Sequence, residues 1–222
     1  MGLGGSSVSR LFAITKTMPE IVEHFCVDVA SALNVPSETV EAADGLIVFE
    51  KDGLRHLKAI PWGFPRKTRE GPPTTLGLVA DLTNPMWERM VVEPRYRCLI
   101  PLTHFAEPDG AKGSKTRTWF SLHRQPLMAW AGFCRNTPEF GPVFAGMTGE
   151  ANDKVRPLND RMPVLLRPEE YDRWLHGDIT DVIWFQFRDP PPSQEFEALC
   201  TRDRWQSGTP PGKAMLRRVS DT

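Results

Sequence analysis

The sequence is poor in the features that usually announce a function. Its four cysteines, Cys26, Cys98, Cys134 and Cys200, lie far apart with no CxxC pair, which argues against a disulfide framework or a zinc ribbon. The five histidines show no HxxxH spacing and no Cys/His cluster, so no metal is expected. Charge of one sign is not in excess: 27 Lys plus Arg face 28 Asp plus Glu, for a formal charge of −1. Contact with phosphate would therefore need a local basic patch. Apolar runs such as 126–133 fall well short of a membrane span, and no basic-then-apolar signal opens the chain. Met1–Ser6 fits a myristoylation pattern, but no polybasic stretch follows it, and a flexible Gly/Ser tail is the better reading. GxGxxG, phosphate-loop and GxSxG signatures are missing too. These absences lead us to expect a cytoplasmic protein with reduced thiols and no cofactor.

What is present is a composition 40% hydrophobic, enough for a sizeable core, and 21 prolines that predict irregular connections. No internal repeat is visible in the 222 residues. Residues 1–8 read as a flexible lead-in, 9–205 as one domain and 206–222 as a polar tail. Strands are expected at 9–14, 46–50, 56–62, 96–102, 117–122, 127–133 and 142–147. Lys51-Asp52-Gly53 joins the second and third as a hairpin, while the apolar spacing of Ile21, Phe25 and Val29 predicts a helix over 19–33. Further helices are expected at 83–92, from Pro168 through Leu175, and near 193–200; residues 65–77 read as a long loop. Strands dominate the middle and helices punctuate it, a pattern of an α+β fold with mixed or antiparallel sheets.

Three stretches could carry chemistry. Arg97–Pro101 runs as an apolar strand toward Phe105-Ala106-Glu107, whose carboxylate is either a turn residue or a working acid. Trp62-Gly63-Phe64-Pro65 feeds a loop carrying Arg66, Lys67 and Arg69; Trp62 is either core or an exposed ring able to stack on a base. The third stretch is Ala151-Asn152-Asp153 followed by Pro157–Leu166, in which Arg161 could hold a phosphate or a carboxylate such as Glu107, or make a structural ion pair.

With Leu11–Lys16, Ala129–Phe133 and Thr148–Asn152, these pieces together resemble the SOS-response-associated peptidase (SRAP) family over roughly residues 9–175. The resemblance implies a barrel-like core of mixed and antiparallel sheets flanked by helices. It also implies a protein that crosslinks to abasic sites in single-stranded DNA. In that family an N-terminal cysteine closes a thiazolidine ring on the abasic aldehyde, a glutamate and a histidine move protons, and an asparagine and arginines hold the backbone. Carried over, the glutamate is Glu107, while Ser9 stands at the cysteine and Asn159 at the histidine. Leu78 and Ala80 fall near the asparagine and arginine. Removal of Met1 would expose Gly2 rather than Ser9. The expectation is a divergent member with a degenerate catalytic set of Glu107, Asn159 and Ser9. It would bind single-stranded or abasic DNA non-covalently through Arg10, Trp62, Gly63, Arg66 and Arg161, with crosslinking lost. The alternatives are a scaffold module without a DNA role and a residual hydrolase centred on Glu107.

Overall fold

The Asp52-Gly53 turn shows how local sequence sets the architecture. Both residues have positive φ (54° and 75°), the backbone of a two-residue hairpin turn whose twist matches its strands. It joins β4 (Asp44–Lys51) to β5 (Leu54–Pro61) as expected. The structure is a computed structural model and describes residues 11–31, 34–66, 74–138 and 140–211. Ahead of the hairpin come β1 (Leu11–Ala13), helix α1 (Met18–His24), β2 (Val29–Ala30) and β3 (Glu38–Val40). After it come β6 (Phe64–Arg66), β7 (Thr74–Leu76), β8 (Leu78–Val79) and α2 (Glu88–Val92). The middle of the chain supplies β9 (Arg97–Leu102), β10 (His104–Asp109), β11 (Thr116–Leu122), β12 (Met128–Thr137) and β13 (Gly141–Glu150). Then follow β14 (Arg161–Pro163), β15 (Leu165–Leu166), α3 (Tyr171–His176), α4 (Ile179–Phe187) and β16 (Phe196–Arg204).

The strands form two main sheets. One has the order β16-β11-β10-β1-β3; the other runs β14-β13-β12-β9-β4-β5-β2, with β8 and β15 attached to its side. Pairing is mostly antiparallel, as expected for the α+β class, but the barrel-like core is corrected: the larger sheet stays open between its edges β14 and β2. Phe12, Phe105 and Phe120 of the smaller sheet pack onto Ile100, Trp130 and Phe144 of the larger. Each such side chain contributes about 1.5–3 kcal/mol on burial. The opposite face of the larger sheet is covered by the helices through Ile21, Met90, Trp174 and Phe185. No helix among the described residues is long and apolar enough to cross a membrane.

Several elements depart from the sequence-based expectation. Helix α1 starts as anticipated, with the Glu20 carboxylate accepting from the Thr17 backbone N–H at 2.7 Å. It stops at His24 because Cys26 takes a positive φ of 50°, and Val29 pairs with His56 as sheet instead. The expected loop at 65–77 is bracketed by a hairpin, β6 with β7, its tip lying outside the described residues. Around residue 84 the chain makes a turn, with Asn84 Oδ1 accepting from the Met86 N–H at 3.0 Å, and the helix begins only at Glu88. The final helix is overturned: residues 196–204 are a strand whose Phe196, Ala198 and Cys200 pair with Leu122, Phe120 and Thr118. Helix α4 had no counterpart in the sequence reading.

Candidate functional site

The strand that carries Glu107 is not the strand that starts at Arg97. At Thr103 the chain leaves the larger sheet and enters the smaller one. Thr103 secures the corner, donating from Oγ1 to the Ala13 carbonyl (3.0 Å) and accepting the Thr15 N–H (3.1 Å). Alternation along β10 then turns Phe105 and Glu107 toward the space between the sheets, and His104 and Ala106 to the outer face. Glu107 is 2% exposed, opposite Thr118 of β11. β1 begins at Leu11 opposite Ala106, so the described chain starts one register position from this carboxylate.

A loop built by the 148–163 motif brings its partner. Asn152 folds that loop, its Oδ1 accepting from the N–H groups of Lys154 and Val155 (both 3.1 Å) and its Nδ2 donating to the Pro191 carbonyl (2.9 Å). The Ala151 N–H donates to the Asp160 carbonyl at 2.9 Å and closes it. Asn159 is thereby delivered to Glu107: its Nδ2 donates to Oε2 at 2.9 Å, while its Oδ1 accepts from the Arg161 N–H at 3.1 Å. Those two contacts assign the amide orientation, and they hold a buried carboxylate with a neutral donor.

Arg161 extends the network. Its Nε donates to Thr148 Oγ1 (3.0 Å), and its Nη2 donates to the Thr148 and Ala80 carbonyls, the latter at 3.1 Å. Gln186 braces the same spot, donating to the carbonyls of Val79 (3.2 Å) and Thr148 (3.3 Å). Thr148 and Gln186 were missed as site residues because their role depends on long-range placement; only the Thr148-Gly149-Glu150 motif hinted at it. β8 lies parallel to β13, with Leu78 opposite Gly146, so the segment holding Leu78 and Ala80 borders this network.

The remaining candidates fall elsewhere. Of the two places open to Trp62, the ring occupies the core: it is 1% exposed, donates to the Gly77 carbonyl at 2.7 Å and packs against Phe12, Trp130 and Phe144. A ring so enclosed offers no free face for a base, which corrects its assignment as a stacking platform. Gly63 has a φ of 124°, and a Cβ there would sit 2.9 Å from Thr75 Cβ, so the turn needs glycine. Arg66 ends β6 and is exposed; no hydrogen bond among the described residues links it to Glu107. Ser9, Arg10, Lys67 and Arg69 lie outside the described residues. On the outer face of β10, His104 is buried; desolvation pulls its pKa down to about 4, and its Nε2 has no hydrogen-bond partner among the described residues.

Among the described residues one group could offer metal ligands: Glu50, Asp172 and His176 bring their ligand atoms within 4.8 Å of one another. Arg55 already lies among them, 3.2 Å from Glu50 and 2.5 Å from Asp172, and supplies the cation this cluster needs.

The family model described as SOS response associated peptidase (SRAP) matches residues 11–201. The chain belongs to the SRAP family. The SRAP match spans both sheets, and with them the whole Glu107–Asn159–Arg161 network. Among curated relatives is the protein called Abasic site processing protein YoqW of Bacillus subtilis (strain 168). It is 26% identical over 191 residues, covering 79% of this chain and 83% of the relative. Bacillus phage SPbeta has a protein of the same name with the same figures. Two solved structures share the SRAP chain's fold. One, from Bordetella bronchiseptica, has a TM-score of 0.70 at 20% identity and covers 87% of this chain and 99% of its own. Another, from Bacteroides thetaiotaomicron, has a TM-score of 0.72 at 14% identity and covers 94% and 99%.

Proposed function

We propose that this SRAP protein binds single-stranded or abasic-site DNA without bonding to it covalently. The observation that carries this reading is the 2.9 Å hydrogen bond from Asn159 to the buried Glu107. Family resemblance sets a histidine at position 159, able to move a proton near neutral pH. The amide keeps a donor on Glu107 but exchanges no proton there. Resemblance also sets a cysteine at position 9, and the serine found there is a far weaker nucleophile without an adjacent base. The abasic-site name of the Bacillus relatives supports DNA as the partner. Arg161, fixed by Thr148 and Ala80, and the exposed Arg66 are the cations offered to a backbone.

The test is incubation with single-stranded DNA carrying one abasic site. Binding should weaken by about tenfold between roughly 50 and 200 mM salt, as for two or three phosphate contacts. No band should survive denaturing electrophoresis; a denaturant-stable adduct would overturn the loss of crosslinking. A variant lacking residues 2–8, with Ser9→Cys and Asn159→His, should form such an adduct, since it restores nucleophile and proton carrier around Glu107.

A second reading, a scaffold module with no DNA role, draws on α4. Its Ile179, Ile183, Trp184 and Phe187 are 44%, 43%, 42% and 76% exposed, an apolar stripe of the kind that marks protein contacts. Absence of any salt-sensitive DNA binding would favour it.

A further inference from the structure

We propose that a cavity of about 330 Å³ on the larger sheet, walled by Phe49, Tyr96 and Cys134, binds a small aromatic anion. The volume lies at the low end of ligand pockets, and the lining is predominantly apolar as such pockets are. Ile47 and Ile60 form its floor, each also part of the core between the sheets. Two aromatic walls rise from that floor, and each carries a cation. Lys58 Nζ lies 5.7 Å from the centre of the Phe49 ring, and the Arg95 guanidinium 4.9 Å from that of Tyr96. Arg95 is already held by Glu93. Lys58 makes no ion pair among the described residues, and no carboxylate lines the cavity. Arg135 also borders it, but its guanidinium lies over Phe64, which does not line the cavity, so Lys58 is the cation without an ion pair that stands over one of its walls. A flat apolar body between the rings, with its negative group at Lys58, satisfies both features; a neutral body satisfies only one. The cavity shares no residue with the Glu107 network, so this inference stands apart from the proposed function.

Cys134 makes the site measurable. It is half-buried beside the fully buried Cys98, while Cys26 and Cys200 are exposed elsewhere. The experiment uses 2-naphthoate, followed by calorimetry and by the rate at which iodoacetamide alkylates each cysteine. Expected are one-to-one binding, at least about fivefold slower alkylation of Cys134, and unchanged alkylation of Cys26 and Cys200. The neutral 2-naphthalenemethanol should bind about tenfold more weakly, and Lys58→Met should weaken naphthoate by a similar factor. Equal binding of acid and alcohol, no effect of Lys58→Met, or no protection of Cys134 would each overturn the proposal. Thymidine monophosphate and oligothymidine in the same assay separate two sources of the anion. Protection by the strand makes it a nucleotide of bound DNA, and protection by the small molecules alone makes it a free metabolite-sized acid.

Discussion

Glu107 and Asn159 meet across 52 residues of chain, the amide Nδ2 donating to the buried carboxylate. Asn159→Asp would set two carboxylates at hydrogen-bond distance in a buried place, where both cannot remain ionised. Relative to the parent protein, this variant should lose about 2 kcal/mol of stability at pH 7 and recover part of it near pH 4, read from urea denaturation. His104 gives an opposite pH signature on the outer face of the same strand. Its pKa falls from 6.5 to about 4 on folding, because burial disfavours the charged ring. The unfolded chain therefore binds a proton that the folded one does not across that window, and stability drops as pH falls through it. His104→Phe should remove about 3 kcal/mol of this acid sensitivity, flattening the midpoint between pH 6.5 and 4. The sequence could name Glu107 as a candidate but not its burial. It gave no sign of His104, since nothing local marks which face of a strand will be sealed.

At the scale of elements, what was legible was what short-range chemistry determines. The Asp52-Gly53 turn, the Thr17–Glu20 cap and the alternating core strands all announce themselves within a few residues. What was not legible depended on distant partners. Val29 continues a helical spacing yet joins β5, and residues 196–204 become a strand because β11 presents an open edge to them. Trp62 belongs to this group, since the pocket that encloses it is built by Phe12, Trp130 and Phe144 from three other strands. The turn after it rests on Gly63. Gly63→Ala should cost about 1–3 kcal/mol through its positive φ and the approach to Thr75, lowering the thermal midpoint by several degrees.

The whole molecule is two packed sheets with helices on the far side of the larger, and Arg97 fastens those helices down. Buried at the start of β9, it donates to the carbonyls of Val91, Trp174 and Gly177, at the ends of α2 and α3. Arg97→Met would leave those helix ends without their donor, and we expect a loss of about 2–5 kcal/mol measured by chemical denaturation. The α+β class was readable from the order of elements, whereas the open edges of the larger sheet were not, because closure is a property of strand pairing. One corner has a consequence of its own. Only Thr103 separates the last residue of β9 from the first of β10, and along β10 acid and imidazole alternate between opposite faces. Which of them looks inward is thus a matter of odd and even. One residue inserted at that corner would exchange them, carrying Glu107 out to the rim and His104 into the interior. The inward place of Glu107 is kept by a count as much as by any bond.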